Sequence, residues 1–306
     1  MFDTKVHSYV NGNSFVIISD DGTKVRYNYD GDIPFTPKPE FPESIDCKIS
    51  NRCDMGCPMC HENSVPDGEL ADLSHPIFNS LHPYTELALG GGNVLEHPDL
   101  ENFLQRMWEK RIICNMTLHL EHFLKNVDYV AELSNKGFVK GIGVSVNKPV
   151  DIGVIETLKR FPNLVVHTIA GIMPREGYEY LYDQGLKLLI LGYKCYGRGN
   201  EYYDSNSDIF EKIAFLRQNL KDMIPHFKVI SFDNNAIDQL NVKDIVSPEQ
   251  WKKSYMGDDG QFTMYLDMVN KEFAKSSISE RMSINGDKIE DLFRQVQNSR
   301  QKQGVI

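Results

Sequence analysis

Basic residues are scarce in this 306-residue chain. It has 33 lysines and arginines against 43 aspartates and glutamates, for a formal net charge of −10. A protein grips a phosphate backbone through lysine and arginine, which release counterions, so nucleic acid is not an expected partner. Long apolar runs are lacking too. The densest, Leu186-Lys187-Leu188-Leu189-Ile190-Leu191, is interrupted by a lysine and falls far short of the roughly 20 residues that span a bilayer. It reads as a buried strand. The opening stretch Met1–Val10 carries Asp3, Lys5, His7 and Ser8, which no secretory apolar core would contain. These absences predict a cytoplasmic protein with no membrane partner. Cysteine is sparse, with six residues and none beyond Cys195. In a reducing compartment such cysteines read as thiols or metal ligands rather than disulfides. Internal repeats and low-complexity tracts are absent.

The remaining composition, 41% hydrophobic and 25% charged, suits a globular chain long enough for a large core. Residues 1–43 predict a small β-hairpin or meander. Lys5–Val10, Ser14–Ser19 and Lys24–Tyr29 are separated by Asn11-Gly12-Asn13 and Asp20-Asp21-Gly22, pairs that favour the positive φ angles of hairpin turns. Pro34, Pro37, Pro39 and Pro42 then make an extended link. Over residues 44–220, strands alternate with helices. Strands are predicted at Ser44–Ser50, Glu86–Leu89, Ile112–Leu118, Gly141–Val146, Leu164–Ala170 and Leu186–Leu191. Helices are predicted at Asp99–Lys110, Glu121–Lys136, Ile152–Phe161, Arg175–Gln184 and Asp208–Leu220. This alternation predicts an α/β fold with parallel strands, a partial (β/α)6 barrel whose chemistry gathers at the carboxyl ends of the strands. Residues 221–306 read as an α+β extension. It has a strand at Phe227–Phe232, a helix at Pro248–Tyr255, a hairpin from Gln261–Leu266 and Lys271–Ala274, and an amphipathic surface helix within Asp287–Gln303.

The most informative segment is Cys53-Asp54-Met55-Gly56-Cys57-Pro58-Met59-Cys60, directly after the first barrel strand. Three cysteines within eight residues let one tight loop present three thiolates, with Gly56 and Pro58 supplying the turn. Iron–sulfur clusters normally take four cysteines, so a three-cysteine loop leaves one iron for an exogenous ligand. The alternative is zinc, with His61 as a fourth ligand. A zinc module usually brings a second CxxC or a histidine pair, whereas Cys47, Cys114 and Cys195 are scattered singly. Cys47 and Cys114 are expected in the core, and a redox or substrate role is conceivable for Cys195 alone.

The spacing CxxxCxxC at the end of a first barrel strand resembles the radical S-adenosylmethionine (radical SAM) superfamily. The resemblance implies one [4Fe–4S] cluster on Cys53, Cys57 and Cys60, with S-adenosylmethionine on the open iron. Reductive cleavage would then give a 5′-deoxyadenosyl radical that takes a hydrogen from substrate. It also implies a low-potential flavodoxin- or ferredoxin-type electron donor. The family usually has an aromatic residue before the third cysteine, near adenine; here Met59 offers a polarizable thioether instead. Leu89-Gly90-Gly91-Gly92-Asn93-Val94 stands where the family has Gly-Gly-Glu-Pro and binds the methionyl amino group. Gly91, Gly92 and Asn93 are therefore candidate cofactor contacts, with Asn93 lacking the usual charge. Ser145 and Asn147 after the fourth strand, Gly171 after the fifth and Arg198 after the sixth complete the set of cofactor-binding candidates. Lys194 shares Arg198's rim, and His119 and His122 read as turn or helix-start positions.

No cysteine set remains for an auxiliary cluster, so the resemblance implies single-cluster chemistry. The substrate is expected to be a peptide side chain, with the β-rich preface as a docking edge, or else a small metabolite or nucleotide. A non-enzymatic metal-binding or regulatory protein on the same fold is the reading from a different class.

Overall fold

The computed structural model describes residues 6–19, 22–28 and 36–299. The Asp20-Asp21 turn, Pro34 and residues 300–303 lie outside them. Strands β1 (Val6–Asn11), β2 (Ser14–Ser19) and β3 (Lys24–Asn28) form a three-stranded antiparallel sheet. Gly12 makes the first turn at φ +59°, and a Cβ there would collide with the Lys38 carbonyl. The sheet docks by the face that buries Val16 and Ile18 and carries Arg26 and Lys24. Arg26 pairs with buried Glu43 at 2.7 Å, and Lys24 reaches Glu86 at 2.7 Å. The Asn11 amide donates to Phe41 O at 2.9 Å and accepts from Glu40 N at 2.8 Å. Its other face leaves Val6, Val10, Val25 and Tyr27 exposed.

The main sheet begins with β4 (Ser44–Ser50) and β5 (Glu86–Gly91), followed by helix α1 (Leu100–Glu109). Strand β6 (Ile113–His119) leads into α2 (Leu120–Lys125) and α3 (Val127–Asn135). Then come β7 (Gly141–Ser145), α4 (Ile152–Lys159), β8 (Leu164–Ile169), α5 (Arg175–Leu181) and β9 (Lys187–Leu191). Strands β4 to β9 are parallel and adjacent in chain order, the six-stranded core expected from the sequence. The chain continues through α6 (Arg198–Ser205), α7 (Asp208–Met223), β10 (Val229–Phe232), α8 (Asn234–Gln239) and α9 (Pro248–Ser254). It ends with β11 (Thr263–Asp267), β12 (Glu272–Ala274), β13 (Met282–Ser283) and α10 (Ile289–Asn298). Strand β10 adds beside β9 in parallel.

One local reading is corrected and two features are added. The helix expected over Glu121–Lys136 is two, because Asn126 leaves the helical conformation and its amide bonds back to His122 O at 2.8 Å. The rim after β9, where the sequence predicts no element, contains α6. The β11–β12 hairpin forms as expected, but β11 also pairs in parallel with β4, from Thr263 opposite Ser44 to Asp267 opposite Lys48. That pairing satisfies the backbone of β4 on its free side and buries Met264 and Leu266.

Side-chain alternation divides the sheet into two faces. Ile45, Cys47, Ile49, Leu87 and Leu89 are buried on the outer face, with the helices. Register places Asp46 beside Ala88 and Tyr265, Lys48 beside Gly90 and Asp267, and Ser145 beside His167 on the inner face. Across the gap between the two ends of the barrel, the Asn234 amide after β10 bonds Asp259 at 2.7 Å, ahead of β11.

Candidate active site at the barrel mouth

The chain leaves β4 and closes the neck of a loop before the cysteines are reached. Cys53 N donates to Val65 O at 2.9 Å, Asn51 N to Glu69 O at 2.8 Å and Val65 N to Asn51 O at 3.0 Å. Within the loop Gly56 turns at φ +59°, with open space around it, and Cys60 N closes a turn on Cys57 O at 3.2 Å. Cys53, Cys57 and Cys60 are all free and half-buried. Burial pushes the Cys53 and Cys57 thiols up, and the neighbouring sulfurs push them further, so these thiols sit close enough to feel one another. A bound metal would reverse that effect.

Arg198, at the start of α6, is spent on this loop. Its Nε donates to Cys57 O at 3.2 Å and its Nη1 to Ser64 O at 3.0 Å. Its backbone N reaches Asn63 Oδ1 at 2.7 Å and Cys60 O at 3.2 Å. The sequence offered Arg198 as a contact to cofactor; the structure places its guanidinium on loop carbonyls. Gly197 allows this approach, since a Cβ there would lie 2.6 Å from His61 O. Met59 is half-buried and packs against the core.

The glycine edge at the tip of β5 is sewn to the same neck. Gly92 N donates to Ser50 O and Asn93 N to Arg52 O, each at 2.6 Å. Gly91 takes φ +103°, and a Cβ on Gly91 or Gly92 would collide with the Ser50 or Arg52 carbonyl respectively. Asn93 is 5% exposed. Its Oδ1 accepts from Leu95 N at 3.2 Å, and its Nδ2 donates to Glu96 Oε1 at 2.9 Å. The amide therefore caps a short 3-10 turn over Val94–Glu96, and the carboxylates of Asp54 and Glu96 both act on the Cys53 thiol. Ser145 stands at the carboxyl end of β7. The Asn147 side chain accepts from Ile169 N at 2.8 Å, which ties the ends of β7 and β8 together. Gly171, at φ +83°, lies against α7, where a Cβ would meet Ile209 Cγ2 at 2.7 Å. Thus Cys53, Cys57, Cys60, Met59, Gly91, Gly92, Asn93 and Arg198 gather on or around the loop. Ser145, Asn147 and Gly171 lie along the strand ends, apart from the hydrogen bonds that close the loop.

Several charged groups on the inner face escaped sequence reading. Lys48, 5% exposed, pairs with Glu62 at 3.1 Å and Asp267 at 3.3 Å. The Tyr265 hydroxyl donates to Glu62 at 3.0 Å, and the Arg281 guanidinium lies 4.1 Å over the Tyr265 ring. Burial works against the charge of Glu62, yet His61 and Lys48 together hold its carboxyl well below the ordinary range. The His61 Nε2 faces Glu62 at 3.2 Å, so the ring considered as a zinc ligand has another partner. The available signal was alternation: Asp46 and Lys48 interleave with Ile45, Cys47 and Ile49 on a central strand, which places charge in the barrel interior. His167 was also missed. Its ring lies over Gly143, burial holds its pKa down to about 4, and its Nδ1 is buried without a partner. It is a neutral imidazole at neutral pH.

Fold and loop together define a parallel α/β partial barrel with three thiols on one loop at the carboxyl end of its first strand. No family model matches the sequence, and no curated protein matches it. Solved structures share its fold. SuiB of Streptococcus suis bound to precursor peptide SuiA superposes with a TM-score of 0.62 at 11% identity, covering 98% of this chain and 90% of that one. SuiB bound to S-adenosylmethionine gives 0.61 at 10% identity, with the same coverage. SuiB alone gives 0.57 at 10% identity, over 97% of this chain and 90% of that one.

Proposed function

We propose that the chain is a radical SAM enzyme that binds one [4Fe–4S] cluster on Cys53, Cys57 and Cys60. The observation that carries this reading is the three-cysteine loop at the carboxyl end of β4, in a chain with the fold of a protein solved with S-adenosylmethionine bound. The donor set fits the group. It consists of three half-buried thiols on one tight loop, a glycine turn free of neighbours and no fourth cysteine among the loop residues. The chemistry such a cluster and S-adenosylmethionine supply is reductive cleavage to a 5′-deoxyadenosyl radical and hydrogen abstraction from substrate.

The protein's own part is positioning. Arg198 fixes the loop carbonyls, and the Gly91–Gly92 edge brings the β5 backbone against the loop neck, where backbone groups can meet a ligand's amino acid portion. Met59 and the ends of β7 and β8, with Ser145, border the place an adenosyl group would take. A flavodoxin- or ferredoxin-type protein would deliver the electron.

The substrate class we favour is a peptide, because the related fold is seen with a precursor peptide bound. The small sheet, with Val6, Val10, Val25 and Tyr27 exposed, is the docking surface. The reading is tested by incubating the anaerobically reconstituted, reduced protein with S-adenosylmethionine and measuring 5′-deoxyadenosine. Wild type should form it and Cys57→Ala should not. Absence of product in wild type would support a non-enzymatic role for the fold.

A further inference from the structure

One group of metal-ligating atoms reaches beyond the three cysteines of the loop. The Cys53 sulfur, an Asp54 carboxylate oxygen and a His122 ring nitrogen all lie within 4.8 Å of one another. Asp54 Oδ1 and His122 Nε2 are already 2.7 Å apart. The three come from two elements that are each held in place. Cys53 is pinned at the neck of the loop through Val65 O. His122 is 4% exposed on α2, and its backbone carbonyl receives the Asn126 amide. His122 is therefore presented by the body of the fold, whereas Asp54 is exposed and free to adjust.

We propose that Cys53, Asp54 and His122 form a second metal site, for a single divalent ion of the Zn2+ class, that shares Cys53 with the cluster and so excludes it. Thiolate, imidazole and carboxylate are the donors zinc takes, and three protein ligands leave a fourth position for water. Bond lengths to such an ion place tetrahedral ligand atoms about 3.3–3.7 Å apart. The observed set needs movements of roughly an ångström to reach that, mostly in exposed Asp54. The His122–Asp54 hydrogen bond is exchanged for two bonds to the ion, and the Cys53 thiol gives up its proton to solvent. In the cluster-free chain a zinc ion would then occupy a sulfur that assembly requires. Only the exclusion rests on the radical SAM reading; the site itself does not.

The test uses the full chain, stripped of metal, with Co2+ as probe. We expect one Co2+ per chain, with thiolate-to-cobalt charge-transfer absorption and the intense visible bands of tetrahedral cobalt. Cys57→Ala and Cys60→Ala should keep these bands, while Asp54→Ala and His122→Gln weaken binding at least about tenfold. Asp54→Ala guards against misfolding, since its side chain is exposed. Binding unchanged in both Asp54→Ala and His122→Gln would overturn the site, as would loss of the bands in Cys57→Ala, which would move the ion onto the three-cysteine set. A second arm measures iron uptake with and without Zn2+ added first. The ratio should fall severalfold in wild type and stay near one in Asp54→Ala; equal ratios in the two proteins would overturn the exclusion. Wild type that takes up no iron even without zinc would instead count against the cluster, leaving the cobalt result to stand separately.

Discussion

Replacing any one of Cys53, Cys57 or Cys60 with alanine is expected to take the reconstituted chain from about four irons to near none, whereas Cys47→Ala retains them. The contrast follows from position. The three loop thiols lie within eight residues of one another on a loop whose neck is fixed by the Val65, Asn51 and Glu69 hydrogen bonds. With only three protein anchors, loss of one leaves two, and the loop offers no substitute thiolate. Cys47, 2% exposed, faces the opposite side of β4 beneath the helices, where burial pushes its thiol far above the usual range. It behaves there as a small apolar side chain. The measurement is iron and acid-labile sulfide per chain after anaerobic reconstitution. Full iron in Cys57→Ala would contradict the assignment.

The second large effect concerns Lys48. Its ammonium is enclosed between Glu62 and Asp267, all three nearly buried. Substitution by methionine keeps much of the volume but leaves two buried carboxylates without their shared cation. Breaking a buried pair from one side costs about 3–5 kcal/mol. For a chain of this size that corresponds to a fall in melting temperature of about 5–8 °C. The loop should suffer as well, because Glu62 follows Cys60 by two residues and is held by Lys48 and by the Tyr265 hydroxyl from β11. Adding Glu62→Gln and Asp267→Asn to Lys48→Met should restore a substantial part of the loss, since neutral amides carry a smaller desolvation penalty. Thermal melting of the single and triple variants checks this. A Lys48→Met protein that melts within about 2 °C of wild type would mean the ion pairs carry no net stability.

How far the sequence could be read depended on the range of the interactions involved. Strands β4 to β9 were legible because strands buried in a parallel sheet are short apolar runs set between helical patterns. Ser44–Ser50 was placed with both ends as observed. The cysteine loop was legible because its ligands are close in sequence. The break at Asn126 was not, since it depends on one side chain bonding back to His122 O within an otherwise helical pattern. The pairing of β11 with β4 joins residues more than two hundred apart, and no local pattern carries it.

Side-chain destinations were the hardest part. Arg198, flanked by glycines on the rim, reads from the sequence as an anion contact, and in the folded chain its guanidinium donates to loop carbonyls. Asn93 looked like a ligand group at the tip of β5, but the turn that follows gave its amide a cap to make and Glu96 to hold. Both cases follow from the same rule: a polar side chain in a crowded segment satisfies nearby backbone first. Lys48 and Asp46 show the converse, since charges alternating with core residues on a central strand mark an interior that is polar.

The claim underlying the proposed activity is that three loop sulfurs leave one iron open to S-adenosylmethionine. Its most direct test is the electron paramagnetic resonance spectrum of the reduced, reconstituted protein with and without S-adenosylmethionine. The account predicts shifted g values on addition and a coupling to the methionyl amine nitrogen that changes when 15N replaces 14N in that amine. Spectra that are identical with and without S-adenosylmethionine, in protein carrying a full complement of iron, would contradict it.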